Sequence, residues 1–314
     1  MEELWEFFVG EEARRYRRTF SRVGVAMLAM ILLPVGVQLL LQYLLLTQAP
    51  ALLEDTLVPY LISAAATYLI GFPAAMLVLR TAPLECPDPE RQRLNGENWA
   101  GLWLLAIGWL YLANIVTLSL MDALAALRGE PISNPLDAMG DLPVAFNLIY
   151  SCLLAPVCEE LCFRWMLLRR LRPWGDGFAL CASALLFALV HGNLYQMIYA
   201  FAVGMVLGGI LLRTGSIKGC ILLHAGANFV SAGLLPLAGM MGETGNLALA
   251  MLVLVSMLWA LYWTFFRRRA ELIDFADETS WGDGETWGHF LWNRGFPFFL
   301  LLLIGITWLI TRKK

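Results

Sequence analysis

The sequence predicts an all-α, polytopic transmembrane bundle of about eight spans, with a possible ninth segment near the C-terminus. Composition is the first reason. Hydrophobic residues fill 59% of the 314 positions and charged residues only 15%, against roughly 45–50% and about 25% in a soluble domain. The second is patterning: the apolar residues fall in long blocks broken by short charged clusters, as membrane helices do. The third is the placement of positive charge on alternate loops.

A bilayer core of about 30 Å takes roughly 20 helical residues to cross. On that ruler the spans are expected near 21–46, 57–79, 98–126, 143–171, 177–193, 194–213, 217–234 and 246–266, with a weaker segment at 296–311. The first block, Val23 to Leu46, is too long for the apolar core of a cleavable leader and follows a long basic stretch, so it is expected to remain as a span. Strands are excluded because no ten-residue alternating segments recur. If the spans alternate, one side receives Arg14, Arg15, Arg17, Arg18, Arg22, Arg80, Arg91, Arg93, Arg169, Arg170, Arg172, Arg213, Lys218, Arg267, Arg268 and Arg269. These are sixteen of the 22 Lys and Arg residues, while the loops on the other side hold only Arg128. That asymmetry predicts a multi-pass protein with a cytoplasmic N-terminus; a bacterial cell membrane is the expected setting. Arg312, Lys313 and Lys314 would run against the rule if 296–311 crosses, so that segment is left as spanning, re-entrant or interfacial.

The stretch 270–295 is acidic and Trp-rich, as expected of an interfacial segment, with His289 as one of its residues and the GDG at 282–284 as a turn. Gly204 and Gly208 form a GxxxG pair, expected to allow close helix packing. The six cysteines show no CxxC spacing, and five lie in apolar stretches, so no disulfide framework is expected. A net charge of −3 gives no reason to expect nucleic acid as a partner; the lipid bilayer is the expected one. The chain divides into 1–142, a basic segment with three spans; 143–234, a core carrying the unusual polar residues; and 235–314, the last spans and the Trp-rich tail.

Charged side chains at mid-bilayer cost at least about 2.5–3.5 kcal/mol each and usually mark function. The spans contain Glu159, Glu160 and Arg164, then His191, then His224 and Asn228. A buried network that only fixes helix packing is the structural reading of the set. Glu160 and Arg164 are i, i+4 and are expected to pair. Glu159 is turned by about 100° from Glu160 and has no cation at i+3 or i+4. His224 and Asn228 share a face, as do Phe187 and His191. Glu159 lies 14 residues before Pro173 and His191 lies 14 after Gly177, so both sit about 21 Å from the intervening turn, at one level on antiparallel helices. Asn193 and Gln196 either line the same cavity or cap a helix end. Cys158 and Cys162 flank the carboxylates as ordinary small residues.

Two chemistries fit this set. Glu159 can act as general base on a water that His191 also holds, with His224 and Asn228 donating to the oxyanion. Alternatively Glu159, His191 and His224 bind zinc, although an amide such as Asn228 is a poor zinc ligand. No HExxH helix, GxSG serine motif or pair of intramembrane aspartates is present.

Glu159-Glu160-Leu-Cys-Phe-Arg164 resembles the EExxxR motif of the CAAX prenyl protease 2 and bacteriocin-processing family, which includes lysostaphin-resistance-like proteins. Phe187-Ala-Leu-Val-His191 resembles its FxxxH motif and His224-Ala-Gly-Ala-Asn228 its HxxxN motif. The resemblance covers roughly residues 143–234. It implies an intramembrane endopeptidase in which Glu159 is the base, His191 shares the water, and His224 and Asn228 form the oxyanion site, with Glu160 and Arg164 in support. It leaves open a metal-free or a zinc-dependent enzyme and implies a membrane-embedded or lipid-anchored peptide or protein substrate, prenylated or not. The alternatives are a peptide-binding or immunity protein, and a solute or ion carrier with Glu159 as proton site; the latter lacks the inverted repeats expected of it.

Overall fold

A computed structural model of the protein describes residues 2–88, 96–267 and 279–311. Apart from short 3-10 turns, the described residues form ten helices in order: α1 Glu2–Gln48, α2 Leu57–Arg80, α3 Gly96–Arg128, α4 Val144–Trp174, α5 Asp176–Leu189, α6 Leu194–Thr214, α7 Ile217–Met240, α8 Gly242–Arg267, α9 Gly284–Leu291 and α10 Phe296–Thr311. No strand occurs among the described residues. Seven of these helices are long and apolar enough to cross a membrane, or eight if α9 and α10, bent by 61°, are counted as one span. The chain is therefore the all-α polytopic bundle that its composition predicts.

The expected span at 177–193 is corrected. Its helix, α5, is only 14 residues long, about 21 Å at 1.5 Å per residue. Gly175 at φ 109° starts it late, and a turn through Gly192 at φ 64° ends it early. A helix this short can sit in the bundle because protein, not lipid, covers it: Phe178, Ala179, Ala182, Ser183, Leu186 and Phe187 are all buried. It packs against α4 on one side and α6 on the other. The α5–α6 contact uses the GxxxG pair as expected. A Cβ added to Gly204 would lie 3.0 Å from that of Ala184, and one on Gly208 would lie 2.5 Å from Leu180 Cδ1. Gly204→Val should therefore separate the two helices and lower stability by about 1–3 kcal/mol, read as a fall in unfolding midpoint in detergent. An unchanged midpoint would mean the contact is loose.

The two ends of the bundle differ in charge. Arg15 pairs with Glu85, Arg22 donates to the Thr81 carbonyl, Arg169 pairs with Asp88, and Arg172 holds Asp176 at 2.7 Å. These contacts gather the start of α1, the ends of α2 and α4 and the start of α5 at one end. Arg91, Arg93, Arg268, Arg269, Arg312, Lys313 and Lys314 lie outside the described residues. The helix α10 crosses from this half to the far end. Gly295, just before it, packs directly on Gly24 of α1, while Thr307 donates to the Gly192 carbonyl at 3.3 Å. At that far end Tyr195 donates to the Ile132 carbonyl at 2.7 Å.

The Trp-rich segment caps the basic end. Gly282, at φ 75°, makes the turn, and Asp283 caps α9 by accepting from Thr286 N at 2.8 Å. Tyr16 meets Thr286 through a 3.2 Å hydroxyl contact and stacks on His289 at 5.0 Å, and Trp287 packs edge-on against Phe178.

Candidate active site

The helix α4 brings the carboxylates to mid-bundle, and prolines shape it. Pro156 has no N–H and its ring clashes with the carbonyl one turn back, so the residues before it, Ile149–Leu154, widen into π-helical turns. The same widening precedes Pro73 and Pro236, at Thr67–Gly71 and Val230–Leu234. In a π turn the partner of the Ser151 carbonyl would be the N–H of residue 156, which proline lacks. That orphaned carbonyl is taken by Asn228, whose Nδ2 donates to it at 2.7 Å. A proline on one helix thus fixes a functional side chain on another. Residues Glu160–Leu168 are π-helical as well, a geometry that recurs at functional sites.

Glu160 and Arg164 pair as their spacing predicts, Nε to Oε2 at 3.2 Å with both side chains buried. Spacing could not supply the third member. Glu160 Oε1 accepts from His224 Nδ1 at 2.8 Å, so this carboxylate also sets the ring of a candidate catalytic histidine. The Arg164 guanidinium lies over the Phe187 ring, 4.2 Å from its centroid, a cation–π contact in a desolvated setting. The same ring meets His191 edge-on at 5.1 Å and His224 at 5.9 Å. Phe187 is thus the packing centre of the site.

Glu159 lies on the adjoining face of α4, its Oε2 3.7 Å from His224 Nε2, beyond hydrogen-bond range but within that of an ion pair. His191 Nδ1 donates to the Phe187 carbonyl at 2.7 Å. A carbonyl only accepts, so Nδ1 carries the proton and Nε2 of the neutral ring keeps its lone pair. Asn193 is a helix cap: its Oδ1 accepts from Gln196 N at 3.0 Å and its Nδ2 meets Gln196 Oε1 at 2.6 Å.

Glu159, His191, His224 and Asn228 all line one cavity of about 820 Å³, together with Gln196. Glu160 and Arg164 lie behind it. Cys158 and Cys162 do not line it, and all six cysteines are free. Tyr68, Tyr150, Tyr199 and Ser151 also border the cavity. Sequence reasoning missed these four, because a tyrosine or serine in an apolar span carries no signal of which helix it will face.

The zinc alternative asks for convergent ligands. Both histidines have the supporting hydrogen bonds of metal ligands, one to a carbonyl and one to a carboxylate. Yet among the described residues no three His, Cys, Asp or Glu side chains come together closely enough to hold a metal ion.

Comparison with curated proteins finds no match, and none of the solved structures matches the chain. A family model does match residues 141–230, the stretch that holds all three motifs. It describes the type II CAAX prenyl endopeptidases called Rce1-like, so over this stretch the chain is similar to the family of intramembrane proteases that its motifs resemble.

Proposed function

We propose that the protein is an intramembrane endopeptidase that hydrolyses a peptide bond with a water activated by Glu159. The observation that carries this is the convergence of Glu159, His191, His224 and Asn228 on one cavity. In this reading His191 Nε2 accepts a hydrogen from the water and orients it, and Glu159 removes the second proton as the oxygen attacks the carbonyl carbon. The oxyanion that forms is held by His224 Nε2–H and by the amide hydrogen of Asn228 not engaged by Ser151. With Nδ1 donating to Glu160 Oε1, a donating Nε2 is that of the doubly protonated ring. Collapse of the intermediate breaks the C–N bond, and Glu159 returns its proton to the leaving amine. The products are a carboxylate and an amine, with one water consumed.

Zinc and glutamate separate experimentally. Purified protein, assayed on a fluorescence-quenched peptide library, is expected to stay active in a chelator. Asn228→Ala should cost about 10²–10³ in turnover with metal content unchanged. One zinc per chain by elemental analysis, lost together with activity in His191→Ala, would overturn the glutamate mechanism. A binding protein or carrier built on the same cavity would cleave nothing in either condition.

A further inference from the structure

The exposed residues that line the cavity lie at one end of the bundle. Val35 on α1, Asp137 and Gly140 in the α3–α4 connection, and Ser231 and Leu235 on α7 line it and are exposed. All of these lie in the half of the bundle remote from Arg22, Arg80, Arg170, Arg213 and Lys218, none of which lines it. Toward the basic end Glu160, Arg164, Phe163, Leu167 and Leu168 are buried beneath the site. The far end carries Glu54, Asp55, Glu130, Asp137, Asp141 and Glu243 and, among the described residues, one cation, Arg128. Positive residues flanking spans stay on the cytoplasmic side, whereas acidic ones have little influence. The far end therefore faces away from the cytoplasm.

At about 820 Å³ the space is in the upper part of the roughly 300–1,000 Å³ range of ligand sites, far larger than a packing defect. Its walls differ. The α1 side is apolar, through Met30 and Ile31, and the α4 side offers Asn147 and Ser151, so an extended backbone can hydrogen-bond on one side and bury a side chain on the other. We infer that the substrate is a peptide segment presented on the exoplasmic side, from an exported or membrane-anchored polypeptide, rather than a C-terminus presented from the cytoplasm. This inference rests on the protease reading above and adds the side and the class of substrate.

The test pairs labelling with cleavage. The full-length protein carrying Asp137→Cys, or Gly140→Cys should the first not fold, is treated with an impermeant PEG-maleimide in right-side-out and in inverted vesicles. Wild type, with its six free cysteines, is the baseline, and Lys218→Cys marks the opposite end. The rim cysteine is expected to gain one gel shift in right-side-out vesicles alone, and Lys218→Cys in inverted vesicles alone. A membrane-impermeant quenched peptide library should be cleaved only by right-side-out vesicles, with loss of cleavage in Glu159→Gln. Labelling of the rim and Glu159-dependent cleavage in inverted vesicles alone would overturn the inference and leave the protease standing. Absence of Glu159-dependent cleavage from both sides and in detergent would sink the protease reading and this inference with it, whatever the labelling.

Discussion

Glu159→Gln is expected to lower peptide cleavage by about 10²–10⁴-fold while the protein folds and elutes as wild type. The substitution keeps the volume of the side chain and replaces the carboxylate that, in the proposed mechanism, takes a proton from water and hands it on. The carboxylate at the next position cannot substitute for it: both Glu160 oxygens are already committed, one to His224 at 2.8 Å and the other beside Arg164 at 3.2 Å. Single-turnover cleavage with a folded-protein control checks this. Near-wild-type turnover in a folded Glu159→Gln protein would remove the glutamate from the chemistry and return the site to a packing or binding role.

Arg164→Gln is expected to destabilise the bundle by about 3–5 kcal/mol, the usual consequence of removing one partner of a buried pair. The variant leaves the Glu160 carboxylate with His224 alone and strips the cation from the Phe187 ring. Glu160→Gln should be about as costly and should also lower turnover in whatever fraction folds, because its amide holds His224 more weakly than a carboxylate does. The double change Glu160→Gln/Arg164→Gln should be less damaging than the two singles added together. Unfolding midpoints of all three, with activity normalised to folded protein, provide the measurement. A double variant worse than the sum would mean that the two residues are not partners, and full activity in folded Glu160→Gln would mean that it does not position His224.

The bundle and its unequal ends were legible in the sequence because both follow from simple constraints. Length and apolarity decide what can cross a membrane, and rare charged residues in apolar spans stand out against a background that has almost none. The Glu160–Arg164 pair was legible because i, i+4 contacts lie within one helix. The three motifs lie within residues 141–230, the stretch the family match covers, and they resemble that same family. Where the reading relied on a regular helix it lost precision: α5 stops after 14 residues at a glycine turn, and α4 is widened by π turns before Pro156.

What only the tertiary structure decided is which helix faces which. The sequence set Glu160 against Arg164 but could not reveal that His224, 64 residues on, meets the same carboxylate. Nor could it show that Asn228 completes a carbonyl left without a partner by Pro156, or that Phe187 touches Arg164, His191 and His224 together. Side-chain contacts between spans depend on the rotation and depth of each helix. Those are set by small-residue packing such as Gly204 on Ala184 and by local departures from the regular helix, and neither leaves a periodic trace in the chain. The sequence determined which residues must be shielded from lipid; the packing of the helices determined that Glu159, His191, His224 and Asn228 line one cavity.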